Sequence, residues 1–422
     1  MSHVSPDAIR TAFSAAMSAM YRAEVPLYGD LLDIVATTNA RVLDGDPALR
    51  ERLEHSGEIA RLNDERHGAI RVGTPAELAL LRRLFAVMGL VPVGYYDLVP
   101  AGLPVHSTAF RPVEAASLRA NAFRIFCSLL RIELIADEML RDKAAAILAK
   151  RRIINDEALD LVAQHERDGG LDEAAAARFV AAALETFRWH GEALVDDATY
   201  AQMQAAHRLI ADIVCFRGPH INHLTPRTLD IDAAQAEMIA RGIRAKAVIE
   251  GPPRRAVPML LRQTSFAALE ERILFRTGDA LVAGAHTARF GEIEQRGVAL
   301  TPKGRALYDA MLAAGSGGDA ERLVAAFSGF PDDAEQLRRE GLAYFTCRLT
   351  PEGQRRAEPI TYEDFLPVSA AGIFRSNLGR DAESSTATAS SQAAFEAALG
   401  APVLDPFALY AAQQAQSLAV LT

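Results

Sequence analysis

Apolar residues recur at intervals of three and four from Ser5 to Val42, which predicts helix with Ser5-Pro6-Asp7 as cap and first turn and a break at Pro26. The period then changes. His67 to Val72 alternates as a strand does; Thr74-Pro75-Ala76-Glu77 opens a helix to about Met88, Gly89 closes it, and Val91 to Leu98 alternates again. Further strands are expected at about Val105 to Phe110 and Phe123 to Ile132, so the order is βαβββ. From about Ala136 to Ile213 the pattern is helical throughout, with stretches such as DEAAAARFVAAALETF. Beyond it the earlier order returns. His220 to Thr225 reads as strand, Asp232 to Arg241 as helix with Gly242 as its stop, and Ala245 to Glu250, Met259 to Ser265 and Ala288 to Gln295 as strands.

These patterns predict an α+β protein in which two βαβββ modules, at 61–135 and 214–300, form a cupped mixed sheet. A helical insertion at 136–213 separates them. A helical segment at 1–60 precedes them, and a helical and strand segment at 301–380 follows. Within 381–422, DAESSTATASSQAAFEAALG reads as a linker leading to a terminal helix.

Composition narrows the function classes. Half of the 422 residues are hydrophobic and 7% are aromatic, which is enough for a large core. Forty-five Lys and Arg stand against fifty-four Asp and Glu, a net charge of -9 with no basic run to track a phosphate backbone, so nucleic acid is not an expected partner. An acidic surface mildly repels anions, and an anionic substrate would therefore need a local arginine. Cys127, Cys215 and Cys347 are widely and irregularly spaced, which indicates neither a disulfide framework nor a structural zinc site and fits small apolar packing residues in a reducing compartment. The N-terminus lacks the basic start and apolar run of a signal peptide, and no stretch approaches the roughly 20 apolar residues of a membrane span, so a cytoplasmic location is expected.

The candidate chemistry lies where the two modules repeat. His67-Gly-Ala-Ile-Arg71 opens the first and His223-Leu-Thr-Pro-Arg227 opens the second, the same His-x-x-x-Arg spacing at the same structural point. His220 lies three residues before His223 and so on the other face of a strand; only His223 aligns with His67. In Phe290-Gly-Glu292-Ile-Glu294-Gln-Arg296, strand alternation puts Glu292, Glu294 and Arg296 on one face. Two acids facing an interior demand a cation, either Arg296 or a divalent metal. Two imidazoles and one of these carboxylates form a facial triad that suits ferrous iron and leaves room for substrate and dioxygen, although zinc accepts the same donors.

Paired βαβββ modules with a histidine on the first strand of each and a glutamate on the last strand resemble the vicinal oxygen chelate superfamily. FGEIEQR is similar to the FxEIxQR stretch of 4-hydroxyphenylpyruvate dioxygenases, a match that assigns the ligand to Glu292 rather than Glu294. More closely, HGAIRVGTPAEL, PVHSTAFRP, FRIFCSLLR, HINHLTPRTLDID, RFGEIEQRGVALTPKGRALYD and YEDFLPVSAAGIFRSNLG, spanning about residues 60 to 380, resemble the 2-oxoadipate dioxygenase/decarboxylases of bacterial lysine catabolism. The resemblance implies an Fe(II) enzyme that converts 2-oxoadipate and O2 into 2-hydroxyglutarate and CO2. It implies metal ligands His67, His223 and Glu292, a substrate-binding Arg71 and further substrate contacts at Val368 and Ser369. Arg71 would share the face of His67 about 13 Å along the strand, and its planar fork suits a distal carboxylate.

Two rivals remain at this stage: a non-redox lyase or epimerase using zinc, nickel, cobalt or manganese on the same scaffold, and a non-catalytic small-molecule-binding protein. His106 is either a donor behind the site or a core histidine. Arg227 either repeats the anion-binding role of Arg71 or forms an internal ion pair.

Overall fold

A computed structural model describes residues 3–64, 66–278, 280–315, 320–349, 353–366 and 391–421. The local signals for the first strand-helix unit all form. Arg66–Val72 is strand β1, and Thr74 then caps the helix Pro75–Ala86 in a reciprocal box, its hydroxyl accepting from Glu77 N while the Glu77 carboxylate accepts from Thr74 N. Strands β2 (Val91–Asp97), β3 (Val105–Arg111) and β4 (Arg124–Leu130) follow where expected, but a short helix that was not expected, Ala115–Ala120, lies between β3 and β4. Gly94, at φ 74°, makes the bulge in β2, a left-handed conformation that favours glycine.

The first sheet is mixed, with strand order β2-β3-β4-β1-β5, where β5 is His223–Pro226. Strand β1 runs parallel to β4 and antiparallel to β5, with His67 opposite Thr225 and Ala69 opposite His223. Gly68 sits between them where no side chain fits, because a Cβ there would lie 2.6 Å from Ile221 Cδ1 and 3.2 Å from His223 O.

Beyond β5 the chain forms the helix Ile231–Ala240, then β6 (Leu261–Ser265), β7 (Glu270–Thr277), β8 (Ala280–Thr287) and β9 (Glu292–Arg296). Strand β9 is antiparallel to β6 and lies beside β5, through a parallel bridge between Arg227 and Glu294 and a 2.7 Å bond from Thr228 N to Glu294 O. Two expectations fail here. The strand expected over Ala245 to Glu250 is reduced to isolated bridges, Ala245 to Phe266 and Glu250 to Gln263, and the hairpin β7-β8 was not foreseen. Pro252 and Pro253 follow the failed strand directly and cannot donate to a ladder.

Residues 136–213 are helical as expected, with helices Glu138–Leu148, Asp156–Asp168, Glu173–Leu184, Asp197–Ala206 and Arg208–Val214. The N-terminal helix does break at Pro26, into Pro6–Glu24 and Pro26–Gly45. Among the described residues β9 is followed by the helices Pro302–Gly315, Ala320–Ala326 and Ala334–Arg339, the hairpin β10 (Phe345–Leu349) and β11 (Arg355–Pro359), and the C-terminal helices Gln392–Leu399 and Pro406–Ala419. No helix among the described residues is long and apolar enough to cross a membrane.

The core divides across the first sheet. Ile70, Ile125, Phe110 and Cys127 pack under the helices on one face, while Ala69, Phe126, Ala109 and Leu130 lie on the other. The N-terminal helices pack with the first of these sets and hold other segments by hydrogen bonds. Arg10, fully buried, donates to Asn121 O, Met88 O and Ser117 O at 2.8 to 2.9 Å, satisfying carbonyls where other segments end. Tyr21 Oη lies 3.0 Å from Asn222 O and 2.7 Å from Phe290 O, and so clamps together the starts of the two segments that carry His223 and Glu292.

Candidate metal centre

Strands β1, β5 and β9 bring His67, His223 and Glu292 to one place. Each residue offers one donor atom, all within 4.8 Å of one another. His67 Nε2 is 3.2 Å and His223 Nε2 4.0 Å from Glu292 Oε1, and the two imidazole planes are nearly perpendicular, with centroids 5.4 Å apart. All three side chains are at most 4% exposed. His220, the competing histidine, lies elsewhere, between Asp212 and Asn222.

The donor set fits a divalent cation. Glu292 Oε1 accepts hydrogen bonds from Thr225 Oγ1 at 3.1 Å and Gln263 Nε2 at 2.7 Å, whereas buried Glu292 Oε2 and His223 Nδ1 have no hydrogen-bond partner among the described residues. A buried carboxylate oxygen with no donor is costly unless a cation faces it. Burial pushes the His67 imidazole down, but Glu294 and Glu292 outweigh it and raise its pKa, so the pair of acids draws a proton where an ion would supply the charge. His223 is held well below its ordinary value by burial and then by the charges of His67 and Arg71, which keeps it neutral as a ligand requires.

Glu294, on the same face of β9, supports this centre without joining it. Its two oxygens accept from Nε and Nη2 of Arg296, each at 2.8 Å, and Oε1 approaches Arg124 Nη1 at 3.4 Å. Glu294 Oε2 also lies 2.9 Å from His67 Nδ1, off the line of an ideal hydrogen bond. Burial would raise the Glu294 pKa, yet Arg296, His67 and Arg124 pull it below the carboxylate range. A carboxylate behind a ligand histidine orients the ring and fixes its tautomer. Phe365 at 4.9 Å from His67 and Phe290 at 4.7 Å from His223, both centroid to centroid, wall the imidazoles with apolar rings.

Arg71 is buried on the His67 face of β1, paired with Asp212, whose pKa lies well below its ordinary value because Arg71 and His220 outweigh the effect of burial. Arg227 is paired with Glu58 at 2.7 Å, the internal ion pair that was one of its two readings. His106 alternates onto the opposite face of β3, against Tyr95 and Phe395, and burial followed by Arg131 lowers its pKa to about 4. Val368 and Ser369 lie outside the described residues. The segment before them is anchored by Arg111, which grips Asp364 through two bonds of 2.7 and 3.0 Å, and by Glu363, which meets Arg61 and Arg124. A cavity of about 1110 Å³ with Arg61, Arg227, Arg296 and Glu363 in its lining includes none of the three triad residues.

Sequence reasoning missed Gln263, Asp212 and His286. The available signal was a polar residue inside an apolar run, as in LIADIV around Asp212. Gln263 holds the carboxylate that faces the centre, so Gln263→Leu is expected to lower metal affinity by about 10- to 100-fold with little change in fold, read by equilibrium dialysis and metal analysis. Unchanged affinity would remove Gln263 from the support of Glu292.

Fold and site together define a protein with a buried two-histidine, one-carboxylate candidate metal centre formed where the five-stranded mixed sheet meets the β6-β9 pair. The sequence model of 2-oxoadipate dioxygenase/decarboxylases matches residues 13–377. The chain belongs to the 2-oxoadipate dioxygenase/decarboxylase family, a family of enzymes. It is 56% identical to the Escherichia coli 2-oxoadipate dioxygenase/decarboxylase, an alignment covering 96% of each chain, and 44% identical to that of Mycobacterium bovis over 95% of each. Its structure is similar to that of the hydroxyglutarate synthase from Pseudomonas putida in complex with 2-oxoadipate, with a TM-score of 0.92, 54% identity and coverage of 99% of this chain and 98% of the other.

Proposed function

We propose that this chain is an Fe(II) dioxygenase/decarboxylase that converts 2-oxoadipate and O2 into 2-hydroxyglutarate and CO2, with His67, His223 and Glu292 as the metal ligands. The observation that carries this reading is the buried triad, three donor atoms within 4.8 Å with one Glu292 oxygen left without a hydrogen-bond donor among the described residues. Membership of the family supports the reaction and the substrate. The two strand-helix units are read as paired βαβββ modules around one metal, with the divisions at 61–135, 136–213 and 214–300 expected from the sequence. Lysine catabolism and a cytoplasmic location are part of the same proposal, supported by the family resemblance and by cysteines that are all free.

Ferrous iron, when bound, supplies a centre at which a 2-oxo acid and dioxygen can be activated together. The residues of this chain do the rest. Glu294 orients His67, and Thr225 and Gln263 orient Glu292. Phe290 and Phe365 keep water from the imidazoles. Arg71 is assigned to the distal carboxylate, the group that separates a 2-oxo diacid from a 2-oxo monoacid, and Val368 and Ser369 to further substrate contacts. The stoichiometry balances: six carbons divide into a five-carbon hydroxy diacid and one CO2, and both oxygen atoms of O2 are retained.

The test is anaerobic reconstitution with ferrous iron followed by 2-oxoadipate and air. The expected result is O2 uptake matched one to one by 2-hydroxyglutarate and CO2, with 2-oxoglutarate and 4-hydroxyphenylpyruvate turned over far less. Absence of O2 uptake with iron, together with lyase or epimerase activity under zinc, nickel, cobalt or manganese, would replace this reading by a non-redox one. Purified protein that takes up no metal would remove enzymatic function of this kind altogether.

A further inference from the structure

We propose that Asp212 is a positioning residue that fixes the guanidinium of Arg71 for the distal carboxylate of the substrate, and that His286 keeps Asp212 suited to this task. The proposal rests on the reading of Arg71 given above. Arg71 and Asp212 come from distant parts of the chain, β1 and the helix Arg208–Val214, and are 4% and 5% exposed. Arg71 Nη1 meets Asp212 Oδ2. The other oxygen, Oδ1, lies 3.0 Å from His286 Nε2 and 3.3 Å from His220 Nε2.

His286 has a defined orientation. Its Nδ1 is 2.8 Å from Tyr200 Oη, and its ring stacks on Trp189 at an interplanar angle of 11°. A carboxylate accepts and cannot donate, so the network assigns the Nε2 proton to the bond with Asp212 and leaves Nδ1 to accept from Tyr200. A line of polar contacts therefore runs from the helix Asp197–Ala206 through β8 and the helix Arg208–Val214 to β1. The helical insertion is in this way tied to the buried arginine.

This arrangement differs from the structural ion pairs nearby. Arg111 with Asp364 and Arg296 with Glu294 each match two guanidinium nitrogens to two carboxylate oxygens, which directs the cation's field into its partner. At Asp212 one oxygen, Oδ1, is taken by His286 Nε2. A hydrogen bond from an imidazole N–H draws charge away from the carboxylate, so Asp212 stabilises a buried guanidinium while cancelling less of its attraction for a second anion. The pairing also removes rotamer freedom from a long side chain before substrate arrives. The distance between the metal and the arginine head, and with it the preferred length of the diacid, is then set in part by the insertion.

The test is Asp212→Asn, alone and combined with Arg71→Met, in the iron-loaded enzyme. With 2-oxoadipate, Asp212→Asn is expected to lower kcat/KM by about 10- to 100-fold, chiefly through KM, with metal content unchanged. In the Arg71→Met background the same substitution should add little further loss. The monoacid 2-oxohexanoate, as substrate or competitive inhibitor, should be affected by neither variant. Equal loss with diacid and monoacid, or losses that multiply in the double variant, would show Asp212 to be structural only and overturn the proposal. If Arg71→Met itself affects diacid and monoacid alike, it is the assignment of Arg71 that fails. Should Asp212→Asn fail to fold by circular dichroism, His286→Gln decides: a loss confined to the diacid supports the proposal and an even loss overturns it.

Discussion

Glu292→Gln is expected to abolish metal retention and turnover, while the neighbouring Glu294→Gln should keep the metal and lose only part of its affinity. The two carboxylates share a face of β9 and full burial, yet they stand in different electrostatic surroundings. Glu294 is neutralised by the fork of Arg296 and by Arg124. Glu292 receives hydrogen bonds from Thr225 and Gln263 on one oxygen, has no hydrogen-bond partner for the other among the described residues, and lies against the Nε2 atoms of both histidines. A ligand removed from the centre should cost more than the about 10- to 100-fold that loss of an outer support costs. Thermal melting supplies a second readout, because an ion that binds the folded state raises its stability by mass action. Wild-type protein should melt at higher temperature as ferrous iron or cobalt is added, and Glu292→Gln should show no such rise. Stoichiometric metal in Glu292→Gln, with loss in Glu294→Gln, would move the ligand to residue 294.

The second large effect is on stability. Arg124→Met should destabilise the protein by about 3–5 kcal/mol, the range expected when one partner of a buried ion pair is removed. Arg124 is fully buried, reaches both Glu294 and Glu363, and stands opposite His67 in the register of β4 against β1. Its loss leaves two carboxylates with less positive charge in a region closed to water. Glu363 retains Arg61 and Glu294 retains Arg296, so the variant should still fold, with a lower denaturant midpoint and weaker metal binding through His67. A midpoint shift equivalent to less than about 1 kcal/mol would mean that these acids are satisfied without Arg124, as a surface pair would be.

Much of the site was legible along the chain, for reasons that are local. Strand period alone assigns Glu292, Glu294 and Arg296 to one face and sets His67 and Arg71 on another, since alternate side chains must point the same way. Capping residues at Thr74 and Glu77 and the stop at Gly89 placed the first helix to within two residues. The repeated His-x-x-x-Arg singled out His223 over His220, and the two histidines do part company, one to Glu292 and the other to Asp212.

Other features had no local signature. The apolar stretch from Ala245 to Glu250 has strand composition, but its backbone finds partners only near its two ends. The β7-β8 hairpin had a turn signal at Thr277-Gly278, with Gly278 at φ 62°, yet Glu270 to Thr277 is largely exposed and charged, so its alternation is weak. Arg71 could be placed on a face of β1 but not given a partner.

Periodicity, caps and spacing thus settle which side chains share an element and a face, because those depend on backbone geometry over a few residues. Which strands become neighbours depends on packing among segments far apart in the chain. That long-range packing alone seats β9 beside β5, turns one oxygen of Glu292 away from every donor among the described residues, and brings Asp212 to Arg71 across 141 residues of sequence.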